Sequence, residues 1–430
     1  MAEVFLELFS EEIPSRMQQR GAEELARLLG EALAALAPTA VRSFYGPRRI
    51  AYAAQVAAGV AASSSVERGP RRSAPEQALA GFLRKHGAAR EELREEGEFW
   101  VLHKAVPGVD AAALIAAALP GLLRRFSWPK SMRWGGTSRF TWVRPLRRIT
   151  CLLDGRVVGF DLRDGDDDGH GLAAGNTTEG HRFLSDGPFT VTGCADWQAR
   201  LLEAHVVVDA AERRARIEAG LAALAARAGV SVVPDAGLLD EVAGLVEWPV
   251  AMLGRIDPAY MDLPAEVMQV SMRVNQRYFA LRDAEGKAAP YFAFVANVPG
   301  SDGGAAIVAG NERVLRARFS DARHFWDQDR KVTLESRVAA LDAVTFHAKL
   351  GSQGERTAHI AALAERIALL IGADPALARR AAHLCKADLT TGMVGEFPEV
   401  QGVIGGYYAR HDGEPTDVAD AVAQHYQPKG

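Results

Sequence analysis

The feature that most constrains the fold is a change of periodicity near residue 335. Before it, short runs of strand formers alternate with amphipathic helical segments; from Leu334 onward the apolar pattern reads as helix after helix. This predicts an α+β, multidomain chain, with a mixed α/β body over residues 1–335 and an all-helical part over residues 336–430. A length of 430 residues allows two or three cores of ordinary size. Within the body, a break between two lobes is expected near 164–180 or 228–238.

Local signals fill in the body. Val4 to Phe9 reads as a strand, and Ser10 with Glu11, Glu12 and Pro14 reads as a helix start, followed by Leu25, Leu28, Leu29, Leu33 and Leu36 at helical spacing. Residues 41–56 predict a hairpin turning at Gly46-Pro47, and residues 150–162 a second one turning at Asp154-Gly155. The acid-rich stretch 164–180 reads as a solvated loop; it lacks the sixth-position glycine and the helix-flanked final glutamate of an EF-hand. Residues 201–227 predict one long amphipathic helix with Arg213, Arg214 and Arg216 on its solvated face. A strand is expected from Tyr291. A helix over 311–330 carries Leu315, Phe319, Ala322 and Trp326 on one side and Arg316, Arg323 and Arg330 on another. Glu312, Asp321, Asp327 and Asp329 stand close enough to neutralise those arginines by intrahelical pairs.

The formal charge of -4 excludes a general polyanion binder, so any nucleic-acid contact must come from a local patch. Cys151, Cys194 and Cys385 show neither zinc-site spacing nor disulfide density, which suits a reducing cytoplasm. The acidic start lacks the basic, apolar build of an export signal, and the most apolar run, 111–123, is broken by Pro120 and Gly121 and is too short to span a bilayer. No membrane association is expected.

One stretch stands apart from this acidic background. Between residues 122 and 148, Arg124, Arg125, Lys130, Arg133, Arg139, Arg144, Arg147 and Arg148 are interleaved with Phe126, Trp128, Trp134, Phe140 and Trp142, with no Asp or Glu among them. Guanidinium groups pair with phosphate and aromatic rings stack on unpaired bases, so this is the composition of an RNA-binding surface. The same residues also suit a core of tryptophans flanked by solvated arginine stems. On the first reading Lys130, Arg133, Arg144, Arg147 and Arg148 contact phosphate, Trp134 and Trp142 stack on bases, and Arg48 and Arg49 form a second patch.

Several separated segments together resemble one family, the beta subunit of the heterotetrameric bacterial glycyl-tRNA synthetase. They include FLELFSEEIP at the start, GPRRIA at 46–51, PKSMRWG at 129–135, FTWVRPLR from Phe140, GHRF at 180–183 and LVEWPV at 245–250. GNERVLRARFSDARHFWDQDRK from Gly310, KADLTTGMVGEFPEVQGVIGGYYARHDGE from Lys386 and HYQP near the end continue the series in the same order. The resemblance implies an editing-domain-like module in the body, an HD-like helical domain over 336–430, and a longer chain in the family ending in an anticodon-binding domain that is expected to be absent here. It implies a non-catalytic, tRNA-binding subunit that positions tRNA(Gly) in an alpha2beta2 assembly. ATP and magnesium would be bound by the alpha subunit, with no cofactor on this chain and no DNA partner. In agreement, the sequence carries no class I or class II synthetase signature and no phosphate-binding glycine loop.

An HD-type metal site needs a first His, a His-Asp pair and a later Asp. His347 could be the first and Asp388 the Asp of the pair, but Ala387 stands where the second His should be, so the site reads as degenerate with no catalytic residue and no metal. His411-Asp412, followed by Gly413, reads as a turn. A metal-dependent HD phosphohydrolase, or a scaffold that only holds alpha subunits together, are the alternative functions.

Overall fold

A computed structural model describes residues 1–428, apart from the side chains of Ala105 and Val106. The chain divides into two compact units, residues 1–213 with 243–248, and residues 214–242 with 249–430. The chain thus crosses between the units at 213/214, 242/243 and 248/249. The sheet and the long helix before 335 share one core with the helices after it.

The first unit is built on a sheet of β1 (Ala2–Ser10), β2 (Thr39–Gly46), β3 (Arg49–Val56), β4 (Leu146–Leu153) and β5 (Arg156–Val157), in the order β5-β4-β1-β3-β2, with β6 (Ala174–Gly175) parallel to β4. Every residue of β1 from Val4 to Ser10 is buried, as a central strand covered on both faces should be. One face packs on helices α1 (Ser15–Ala32) and α2 (Ala111–Arg124) through Leu6, Leu8, Leu25, Leu29, Ile115 and Leu119. The other face packs Phe5, Phe44 and Leu152 on α3 (Cys194–Glu203) through Trp197 and Leu201. Both expected hairpins are present, and Asp154 and Gly155 have the positive φ angles (46° and 75°) that a tight two-residue turn requires. The first helix begins at Ser15, after Pro14, because Ser10 is the last residue of the strand. A smaller antiparallel sheet of Ser63–Arg71, Phe99–Val106 and Leu93–Glu96 carries its own helix, Glu76–His86.

The helix expected over 201–227 is two helices. Alpha3 stops at Glu203 and the next runs Ala210–Arg227, with His205 at a positive φ of 60° between them. Arg213 is not on a solvated face: it is 1% exposed, and its guanidinium donates to the carbonyls of Tyr45, Val207, Val208 and Ala243. The segment 243–248 is held in the same unit by Gln18, whose amide donates to Ile13 and Gly244 carbonyls.

The second unit has a four-stranded sheet of β7 (Ser231–Val232), β8 (Val250–Arg255), β9 (Phe279–Arg282) and β10 (Ala288–Ala296), ordered β7-β9-β10-β8. Helix α4 (Ala305–Asp329) buries Leu315, Phe319, Ala322 and Trp326, the face its spacing predicted. Its arginines are neutralised mostly from outside the helix: Arg316 reaches Asp257 at 3.6 Å and Arg323 grips Asp262, with Asp327 as the intrahelical partner at 3.6 Å. Helices α5 (Gln353–Ile371), α6 (Pro375–Leu384), α7 (Val403–His411) and α8 (Thr416–Gln424) complete the core through Leu384, Ile404, Val418 and Val422. The part after 335 is not wholly helical, because Thr345–His347 and Gly351–Ser352 pair as a short hairpin. Among the described residues no helix is long and apolar enough to cross a membrane.

Candidate nucleic-acid interface

The basic aromatic stretch divides between surface and core. Phe126, Trp128, Phe140 and Trp142 are buried together, with Phe126 and Trp142 centroids 4.8 Å apart and Trp128 and Trp142 at 5.2 Å. Trp128 lies so close to Gly21 of α1 that a Cβ there would overlap its ring. Trp142, expected to stack on a base, is 0% exposed and cannot do so. Its indole fills the core beside Phe126, Trp128 and Phe140, with its backbone bridged to Met132. Trp134 is half-buried, with one face stacked on His170 at 4.2 Å.

The cations are similarly sorted. Lys130 and Arg133 are exposed and have no carboxylate partner among the described residues. Arg144 is half-buried and donates to its neighbour's carbonyl, Val143, at 2.8 Å. Arg147 lies 3.6 Å from Glu11, and Arg148 is paired to Glu179 at 2.7 Å. Arg124 pairs at 3.1 Å with Asp167, which belongs to the acid-rich loop. Asp167 is not solvated: it is 3% exposed and also accepts from the Ser138 hydroxyl and the Gly169 and Arg139 amides. Those donors, the Ser138 hydroxyl first, hold its carboxyl well below the usual carboxylate range. The acids of that loop thus anchor the cationic stretch against the fold.

The second expected patch, Arg48 and Arg49, is not a surface patch. Arg49 is 2% exposed and donates to Glu7 Oε1 at 2.9 Å, Glu247 Oε1 at 3.0 Å, Thr178 Oγ1 at 3.3 Å and the Glu179 carbonyl at 2.9 Å. No phosphate can displace that many partners at a buried site. Arg48 sits in the two-residue turn, 7% exposed, with its guanidinium 4.6 Å over the Phe9 ring and 3.9 Å from Glu247. Burial pulls its pKa down from the ordinary arginine value. Sequence reasoning missed Glu7, Glu247 and Arg213; a lone glutamate inside the apolar run VFLELF was the available signal, since a charge on a buried strand needs a partner.

In the second unit, His347 is exposed on its short strand, and its Nδ1 accepts from the Lys349 amide at 3.1 Å. Asp388 is 1% exposed beside Ala387, and its Oδ2 accepts from the Gly402 amide. Among the described residues no group of three or more His, Cys, Asp or Glu is arranged to hold a metal. Asp412 accepts from the Leu334 amide at 2.7 Å, a contact between segments 78 residues apart.

Burial pushes the Asp388 carboxyl up from 3.8 to about 6. The folded state therefore keeps a proton that the unfolded chain has released. Stability from this group is complete below pH 3.8 and is lost as pH rises to about 6. Asparagine retains an oxygen for Gly402 and has no charge to bury. Asp388→Asn should raise stability at pH 7 by about 2–3 kcal/mol relative to its effect below pH 4, the free energy equivalent of that shift. Urea midpoints of both proteins across pH 4–7 test this, and parallel curves would contradict it.

The comparisons with known proteins agree across this whole arrangement. The model of the glycyl-tRNA synthetase beta subunit matches residues 4–430. The chain is 50% identical to the glycine–tRNA ligase beta subunit of Phenylobacterium zucineum (strain HLK1), 49% to that of Rhodospirillum centenum (strain ATCC 51521 / SW) and 45% to that of Paracoccus denitrificans (strain Pd 1222). In each case the match covers 100% of this chain and 64% of the relative. The segments FLELFSEEIP, GPRRIA and LVEWPV, far apart in sequence, meet as Glu7, Arg49 and Glu247 in one buried ion-pair network. With nearly every residue inside the matching model, the chain belongs to the glycyl-tRNA synthetase beta subunit family.

Proposed function

We propose that this chain is a non-catalytic, tRNA-binding subunit of a cytoplasmic glycine–tRNA ligase, positioning tRNA(Gly) for aminoacylation on an alpha subunit that binds ATP and magnesium. The observation that carries this is the family match over residues 4–430. The assembly would be alpha2beta2, with the editing-like module in the body of the chain and the HD-like module over 336–430 acting as structure rather than as a hydrolase. The exposed Lys130 and Arg133, beside the accessible part of Trp134, supply the cationic surface that an otherwise acidic protein needs to hold RNA.

Two measurements test it. Glycine-dependent charging of tRNA(Gly) should rise when this chain is added to the alpha subunit, and no rise would overturn the reading. In tRNA binding to the chain alone, Lys130→Gln with Arg133→Gln should lower the salt slope of log K by about 0.7–0.9 per lost phosphate contact. A chain that binds no tRNA but supports charging would be a scaffold instead.

A further inference from the structure

Arg48, Arg147, Arg182, His181, Glu11 and Ser185 line a cavity of about 330 Å³ in the first unit, with Glu179 and the glycines at 180 and 187 completing its wall. Its charges are unevenly paired. Glu11 is shared by Arg182 at 2.6 Å and Arg147 at 3.6 Å, and Glu179 is held by Arg148 at 2.7 Å. Arg48 has only the 3.9 Å approach to Glu247, a carboxylate that Arg49 already holds at 3.0 Å. Arg182 also reaches Glu12 at 3.0 Å, so of the three guanidiniums that line the cavity Arg48 is the one without a close carboxylate.

The hydrogen bonds left unmade in this wall are all donors. Arg48 has no partner for Nε or Nη1, and His181, 1% exposed, has none for Nε2. The His181 Nδ1 accepts from the Phe183 amide at 3.2 Å, so the proton of the neutral ring is on Nε2. A buried donor without an acceptor is costly, and a polar cavity walled by such donors is completed by an acceptor. A cation is excluded by the three arginines. An oxyanion suits both the unpartnered donors and the guanidinium fork.

We propose that this cavity is an oxyanion site that takes one backbone phosphate of the bound RNA. The RNA part of this rests on the tRNA-binding reading above; the oxyanion part does not. The sequence named Arg48 as a phosphate contact on an exposed patch, whereas the structure makes it a buried part of the cavity wall, with Arg147 and Arg182 at the more exposed rim.

The test uses the full chain in two arms. With side-chain ¹⁵N-labelled histidine, inorganic phosphate should shift the His181 Nε2 resonance saturably. Arg147→Gln, at a rim position that tolerates change, should weaken that titration several-fold, and Arg48→Gln should abolish it. A His181 signal that phosphate does not move overturns the oxyanion site. In the second arm, Arg147→Gln should lower the salt slope of tRNA(Gly) binding by about one phosphate contact, or 0.7–0.9. An unchanged slope in a variant whose phosphate titration is weakened overturns the RNA assignment, and wild-type protein that takes phosphate but no tRNA overturns the function proposed above instead.

Discussion

Arg49→Ala should destabilise the first unit by about 3–5 kcal/mol, because it strands buried carboxylates rather than merely deleting contacts. Glu7 is 0% exposed and Glu247 3% exposed, and Arg49 reaches both at 2.9–3.0 Å. Arg48, 3.9 Å from Glu247, cannot reach the Glu7 position in its place without leaving the Phe9 ring. The Thr178 hydroxyl and the Glu179 carbonyl would lose a donor as well. The effect belongs to one unit: Trp100, Trp128, Trp134, Trp142, Trp197 and Trp248 lie in it, and Trp326 lies in the other. Urea unfolding followed by tryptophan fluorescence therefore reports mainly on the unit that carries the change. Arg49→Met with Glu7→Gln should cost much less than Arg49→Ala, since the remaining Glu247 keeps Arg48 as its counter-charge. A loss below about 1 kcal/mol in Arg49→Ala, the range of an exposed pair, would show that the network is solvated after all.

How much of this was legible in the sequence follows from how far each signal reaches. The hairpins at 41–56 and 150–162 and the face of the helix at 305–329 are local: alternation, a turn residue with positive φ, or a 3.6-residue spacing specifies them within one window. The fate of a charge is not local. Arg49 and Lys130 look alike in composition, yet Arg49 is consumed by a glutamate 198 residues away while Lys130 meets none. Arg213 sat in a run that reads as a basic helix face, and the break at 204–209 brings two of its four carbonyls, those of Val207 and Val208, to it. The stretch 122–148 was both things the sequence allowed: its aromatic residues supply a core cluster and a few of its cations remain outside. Composition alone did not tell which tryptophan went which way. Trp142 is sealed, while Trp134 keeps one covered face against His170, a residue of the acidic loop.

Asp329 makes the same point in the second unit and carries the other large effect. By spacing it reads as a solvated partner for the arginines of its own helix, but it is 5% exposed and serves four donors. Its Oδ1 accepts from the Gly392 amide at 3.0 Å and Arg337 Nη2 at 3.1 Å, and its Oδ2 accepts from the Met393 amide at 2.8 Å and the Tyr408 hydroxyl at 3.2 Å. Burial, with the nearby carboxylate, holds the Tyr408 hydroxyl far above its ordinary pKa, so it is a donor at neutral pH. One side chain thus joins the end of α4 to the start of the short helix Gly392–Glu396 and to α7. Asp329→Ala should cost about 3–5 kcal/mol, as four buried or half-buried donors lose one charged acceptor. Asp329→Asn keeps one oxygen but turns an amide toward two of those donors, so its cost should fall between wild type and alanine. Hydrogen exchange locates the effect: in Asp329→Ala the Gly392 and Met393 amides should lose protection before those of the β8–β10 pair, whose ladder bonds do not involve Asp329. If those two amides keep wild-type protection, backbone geometry rather than this carboxylate holds the turn.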